Sequence, residues 1–167
     1  MKVSITRRKL AELEISDLVK NIRLFPNLAY VSPSRWRHFT DPYCILVDGH
    51  FAGACAIYSF KNWVKLGPLV ILQKHHDKGL GKKLLRNIIN DYNKTSIFIA
   101  SSNPAVQHIV TSYNFQLISS FLSLPRDVQL FLFRQLVEHL NVFFILEGIR
   151  KKIFLKRPGV KFFVKII

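Results

Sequence analysis

Gly79 and Gly81, in the stretch QKHHDKGLGKKLL, are the residues whose types and spacing best suit chemistry. Ahead of them an apolar run from Leu66 to Leu72 reads as a buried strand, and behind them Leu80, Leu84, Leu85, Ile88 and Ile89 recur at helical spacing. A glycine turn that leads from strand to helix gathers unpaired backbone N–H groups and the positive end of a helix dipole at one point. Glycine lets a ligand reach that backbone with no Cβ in the way. Lys78, Lys82 and Lys83 surround the point with mobile positive charge. Such an arrangement holds an anion, most often a phosphate. HHDKGLGKK supplies neither the GxxxxGK[ST] of a P-loop nor the GxGxxG of a dinucleotide fold. Side-chain chemistry has less support. His75, His76 and Asp77 share one turn without a second ligand cluster, and no local pattern favours a Ser-His-Asp or Cys-His nucleophile.

The turn resembles the pyrophosphate loop of the GNAT superfamily of acyl-CoA-dependent N-acyltransferases. That loop reads Arg/Gln-x-x-Gly-x-Gly/Ala after a strand often written V-x-P, and its helix begins with a Leu-Leu pair. His76-Asp77-Lys78-Gly79-Leu80-Gly81 followed by Leu84-Leu85 matches, with His76 in place of Arg or Gln and Gln73 in place of Pro. The resemblance implies acetyl-CoA as co-substrate, with no metal. It implies that Leu69, Val70 and Ile71 offer strand backbone to the pantetheine arm, and that the amides around Lys78, Gly79, Leu80, Gly81 and Lys82 hold the pyrophosphate, with His76 and Asp77 leading in.

Further on, the family pattern runs Asn, Tyr seven residues later, then Gly-Phe. Here it is Asn103, Val110 and Asn114-Phe115. Asn103 thus fits the residue that contacts the CoA arm, whereas the tyrosine that protonates the departing thiolate is missing from its place. Tyr113, three residues on, is the substitute candidate for that acid. The carboxylate that relays the amine proton in many members is also missing, since Leu66, Gly67 and Pro68 occupy its region. The implied activity is transfer of an acetyl group to an amine of an unidentified acceptor by direct attack in a ternary complex. The alternative is a degenerate acyl-CoA-binding module, or a basic module that binds RNA or a membrane surface.

The elements that must position these residues can be read in order. Lys2 to Thr6 alternates as a first strand, and Ser16-Asp17 reads as a helix cap. Phe25 to Pro42, broken by three prolines and carrying Tyr30, Trp36 and Phe39 among basic residues, is the implied acceptor wall. Tyr43–Val47 and Phe51–Phe60 form a hairpin around Asp48-Gly49. Gly67-Pro68 requires a bulge or splay in the strand from Trp63 to Leu72. Thr95 to Ala100 reads as a further strand, parallel to Leu66–Leu72. Phe115–Leu124 and Val128–Arg134 read as a second hairpin. The expected fold is α/β (α+β): a mixed, mostly antiparallel seven-stranded sheet flanked by helices. Residues 1–135 form the acyltransferase-like domain, and 136–167 a basic, aromatic-rich extension packed on it, a helix over Leu136 to Ile153 and then a strand in KFFVKII.

Composition bounds the rest. A chain of 167 residues with 49% hydrophobic residues can bury a core without disulfides or metals. Cys44 and Cys55 lie in apolar runs and read as buried thiols in a reducing, cytoplasmic compartment. Val128 to Leu146 is interrupted by Arg134, Glu138 and His139, which excludes an unbroken membrane span. The net charge of +15 fits a polyanionic partner as well as a plain basic surface.

Overall fold

A computed structural model describes residues 1–25, 28, 30–139, 146, 149–150, 152 and 159–167. Seven strands, β1 (Val3–Arg7), β2 (Tyr43–Val47), β3 (His50–Phe60), β4 (Trp63–Ile71), β5 (Ser96–Ser101), β6 (Gln116–Ile118) and β7 (Lys161–Lys165), form one sheet in the order β1-β2-β3-β4-β5-β7-β6. All pairings are antiparallel except β4 with β5. Asp48 (φ 50°) and Gly49 (φ 83°) are both left-handed, as the tight hairpin turn between β2 and β3 requires.

Side-chain alternation builds a core on each face of the sheet. On one face, helix α3 (Leu80–Asp91) packs Leu80, Leu84, Leu85, Ile88 and Ile89 against Val64, Leu66, Ile97 and Ile99. On the other, α1 (Glu12–Leu24) and α2 (Pro33–His38) bury Ile15, Leu18, Ile22 and Trp36 on Cys44, Ala54, Ala56 and Val70. The expected cap at Ser16-Asp17 is displaced: α1 starts a turn earlier, because Glu14 accepts from the Ala11 N–H at 2.8 Å and is gripped by both Arg8 guanidinium nitrogens at 2.8 and 2.6 Å. These contacts satisfy the helix start and leave Ser16 and Asp17 inside the helix.

The second expected hairpin is not there. After α4 (Pro104–Thr111) the short β6 is followed by a helix, α5 (Arg126–His139), whose Val128 packs with Leu124 on Trp63, Phe98 and Val164. Alternation over 128–134 misled because FLF carries helical spacing equally well. The partner of β6 is instead β7, which slots between β5 and β6. The expected strand in KFFVKII is thus present. The expected helix over Leu136–Ile153 begins within α5 and, past His139, lies almost wholly outside the described residues.

The sheet parts where Gly67-Pro68 interrupts β4. Trp63–Leu66 pairs in parallel with Ser96–Ile99, yet from Leu69 to Ile71 β4 pairs only with β3. The β3–β4 register shifts between Cys55 and Ile57, and Gly67 takes a φ of 105°, a conformation that favours glycine. Opposite, Gly53 admits Val70 so closely that a Cβ would lie 2.3 Å from the Val70 carbonyl oxygen.

Candidate functional site

Where β4 and β5 diverge, a cleft of about 700 Å³ opens through the sheet. The carboxyl ends of two parallel strands face it, each followed by a helix that starts beside it, the usual place for a ligand in a sheet of this kind. Leu66, Gly67, Pro68, Leu69 and Ile71 form one wall, and Ile99 to Asn103 the other. Val70 is fully buried in the core beneath α1 and α2, so it can offer the cleft backbone alone.

At one end of the cleft lies the start of α3. Gly79 is its N-cap with φ 69°, and the first helical bond runs from the Lys83 N–H to the Gly79 carbonyl at 3.0 Å. The amides of Leu80, Gly81 and Lys82 precede that bond and have no intrahelical acceptor. No side chain caps them, and the first turn carries no acidic residue. A Cβ on Gly79 would meet nothing within 4 Å, so open space lies in front of the cradle. This is a cradle fit for a pyrophosphate, formed by backbone.

The side chains around it brace the turn. A ring nitrogen of His76, Nε2, donates to the Ile71 carbonyl at 2.8 Å and ties the turn to the end of β4, with the Phe25 ring 4.8 Å away. Asp77 (φ 59°) lines the cleft at the turn. Lys78 bends back to the Lys74 carbonyl at 3.4 Å, while Lys82 is exposed at the rim. His75 lines the cleft with neither ring nitrogen hydrogen-bonded; burial, then Lys78, Lys74 and His50, hold it below the ordinary histidine value and hence neutral.

Asn103 caps α4: its Oδ1 accepts from the Ala105 N–H at 2.9 Å, leaving the side-chain NH₂ for the cleft it lines. Tyr113 is not on the cleft. It follows the end of α4, donates its N–H to the Val110 carbonyl at 3.0 Å, and packs half-buried against the core that holds fully buried Val110. Ala105, Val106 and Ile109, all earlier in α4, are the residues of that helix that line the cleft.

The other end is a chamber that sequence reasoning missed. Lys65 on β4 stands beside its cross-strand partner Tyr58 on β3, with Nζ 5.0 Å from that ring and 5.8 Å from the Phe131 ring of α5. Its Nζ donates to the Gln135 Oε1. Burial first, then Arg35, pushes the Lys65 ammonium down to about 8. Arg35 of α2 lies 5.5 Å over the Tyr58 ring and 3.5 Å from Glu138. Burial raises the Tyr58 hydroxyl, with Arg35 opposing. From the irregular segment, Phe25, Leu28, Tyr30 and Val31 reach the cleft, whereas Trp36 is wholly buried. One signal was available in the sequence: Lys65 is a lone charge in an apolar strand.

Cys44 and Cys55 are free and buried, their thiols pushed up by burial to about 11 and about 12, so neither is a nucleophile. Among the described residues no His, Cys, Asp or Glu cluster could hold a metal ion, and no helix is long and apolar enough to cross a membrane.

Residues 12–111 match the family model described as the acetyltransferase (GNAT) family. No characterised protein matches the chain on sequence alone. Among solved structures, the fold is similar to N-acetylglutamate synthase from Neisseria gonorrhoeae with coenzyme A and N-acetyl-glutamate (18% identity, TM-score 0.66, 99% of this chain and 35% of that one). It is also similar to a GNAT-family acetyltransferase from Streptococcus pneumoniae (14%, TM-score 0.60, 99% of each). A third is diaminobutyrate acetyltransferase from Paenibacillus lautus with L-2,4-diaminobutyric acid and coenzyme A (15%, TM-score 0.58, 70% of this chain and 80% of that one). The chain spans about a third of the length of the N-acetylglutamate synthase.

Proposed function

Because the chain belongs to the GNAT acetyltransferase family, we propose that it transfers an acetyl group from acetyl-CoA to an amine by direct attack in a ternary complex. One observation carries the reading: the parted β4–β5 pair opens directly onto an uncapped, glycine-led helix start. Acetyl-CoA supplies an activated thioester. This chain's amides of Leu80, Gly81 and Lys82 hold its phosphates, the backbone of Leu69 to Ile71 flanks its arm, and the Asn103 NH₂ donates to it.

Much of the rate in such a transfer comes from positioning. The attacking amine must be neutral, and two cations, Lys65 on the cleft and Arg35 behind its lining against Tyr58, favour loss of its proton by like-charge repulsion. No carboxylate is needed beside it for that. A second reading, cofactor binding without turnover, draws on buried Val110 in the place of the family's tyrosine and on Tyr113 lying off the cleft. The +15 charge supports a polyanion contact, RNA or anionic membrane surface, and a cytoplasmic setting suits the free thiols. Residues 1–135 and 136–167 form one domain in this reading, since β7 lies within the sheet.

Calorimetric titration of acetyl-CoA tests the cofactor step. Micromolar binding that Gly81→Glu abolishes is the expected result; no binding by either protein would overturn acyl transfer. Release of CoA thiol with an acceptor present separates turnover from binding alone.

A further inference from the structure

The chamber around Lys65 contains two donors whose bonding is incomplete, one on the half-buried Lys65 and one on the buried Gln135. Lys65 stands on β4 just ahead of the strand's interruption, and among the described residues its one hydrogen bond is to a neutral oxygen, Oε1 of Gln135. An ammonium has three N–H groups, so two remain for a ligand. Gln135 is itself only 8% exposed, and its buried Nε2, which lies toward the Tyr58 hydroxyl, completes no hydrogen bond. A buried amide left without an acceptor costs free energy, and so does an ammonium drawn partly out of water with no carboxylate facing it. Among the described residues no acidic side chain pairs with Lys65. The Glu138 carboxylate, on the same helix as Gln135, is taken by Arg35 at 3.5 Å and Arg134 at 3.1 Å. Lys65 and Gln135 line the same cleft as the pyrophosphate cradle, at its opposite end, where the acceptor would lie.

We propose that this chamber binds a carboxylate of the acceptor, so that the acceptor is a small amine that also carries a carboxylate, an amino acid by chemical class. The inference rests on the acyltransfer reading above. Two carboxylate oxygens match the free N–H groups of Lys65 and of Gln135, which lie side by side because one accepts from the other. Charge-assisted bonds of this kind are stronger than those between neutral groups, the more so in a site walled by the Tyr58 and Phe131 rings. The Arg35 guanidinium, 5.5 Å from the centre of the Tyr58 ring, adds positive potential. The same field repels polyamines, which bring only positive charge.

The test uses the full chain saturated with CoA. Calorimetry compares N-acetyl amino acids with their primary amides across a panel of all side-chain types, with spermidine as the cationic control. The acid of the best pair is expected to bind about ten-fold or more tightly than its amide. Lys65→Met, which keeps the stem's bulk, is expected to erase that preference while acetyl-CoA affinity holds. Gln135→Leu should reduce it through a second, separate side chain. Turnover with the parent amino acids should show the loss as a raised KM. Equal binding of acid and amide, no binding of any acid, or tighter binding of spermidine would overturn the carboxylate subsite while leaving acyl transfer standing. Failure of acetyl-CoA itself to bind would overturn both.

Discussion

The two ends of the cleft are built from different materials. The cradle is backbone: Gly79 to Lys82 in one unbroken segment, its donors fixed by where α3 begins. The acceptor chamber is side chain: Tyr58, Lys65, Arg35 and Gln135 come from β3, β4, α2 and α5, and sequence separations reach 70 residues for the Lys65–Gln135 bond. A site of the first kind tolerates changes in side-chain identity and fails when the chain's path is blocked. A site of the second kind is tuned residue by residue.

Blocking the path should give the largest effect. Gly81→Glu places a carboxylate at the cradle without a clash at its Cβ, which would sit in ordinary contact with Ile71 and Leu69 at 3.6 and 3.8 Å. Acetyl-CoA affinity should fall by about 100-fold or more, roughly 3 kcal/mol, by calorimetry, with an unchanged circular dichroism spectrum. Near-normal affinity would show that the cradle is not where the cofactor binds.

Lys65→Met probes the other end through stability. Below pH 8 Lys65 is charged in both folded and unfolded chains, and the fold bears its burial cost. Between about 8 and the ordinary 10.5, the unfolded chain holds a proton that the folded one has lost, so stability due to this group rises with pH. The rise should amount to about 2–3 kcal/mol and be absent from Lys65→Met. The thiols of Cys44 and Cys55, with raised values, act with opposite sign in the same range, so the difference between the two proteins in urea unfolding is the quantity to measure. No pH-dependent difference would mean that Lys65 reaches solvent.

Asn103→Ala should cost about 1 kcal/mol in stability by losing the cap on Ala105, and also weaken acetyl-CoA binding a few-fold, as one side chain serves both. Smallest of all, Lys82→Ala should reduce acetyl-CoA affinity by about two-fold, within the worth of a single exposed charge, and raised salt should do the same. A large loss on removing Lys82 would move the weight of the cradle from backbone to side chains.

The same contrast decides what could be read from the sequence. Strand, glycines and helix of the cradle are contiguous, so HHDKGLGKKLL and its flanks disclosed it, along with the Asp48-Gly49 hairpin and the interruption of β4 at Gly67-Pro68. Local signals failed where the outcome rests on distant partners. The start of α1 is fixed by Arg8 reaching Glu14, and the segment after Pro125 turns helical because Val128 finds Phe98 and Val164 across the sheet. Lys65 gained its meaning only from α5, which the sequence pattern had presented as a strand. Counting residues along α4 cannot place Tyr113, because the helix ends at Thr111 and the ring lies off the cleft.

The position of β7 between β5 and β6 has a consequence for the order in which the molecule is made. During synthesis β5 and β6 emerge first, and neither can complete its pairing until Lys161–Lys165 arrives to separate them. Until then the outer edge of β5, continuous with the Ile99–Asn103 wall, is an open template for the wrong strand, whether β6 or another molecule. Closure of the sheet and completion of the cleft wall are therefore one late event, so a nascent chain arrested before β7 would hold the pyrophosphate cradle but not yet the enclosed passage that joins it to the acceptor chamber.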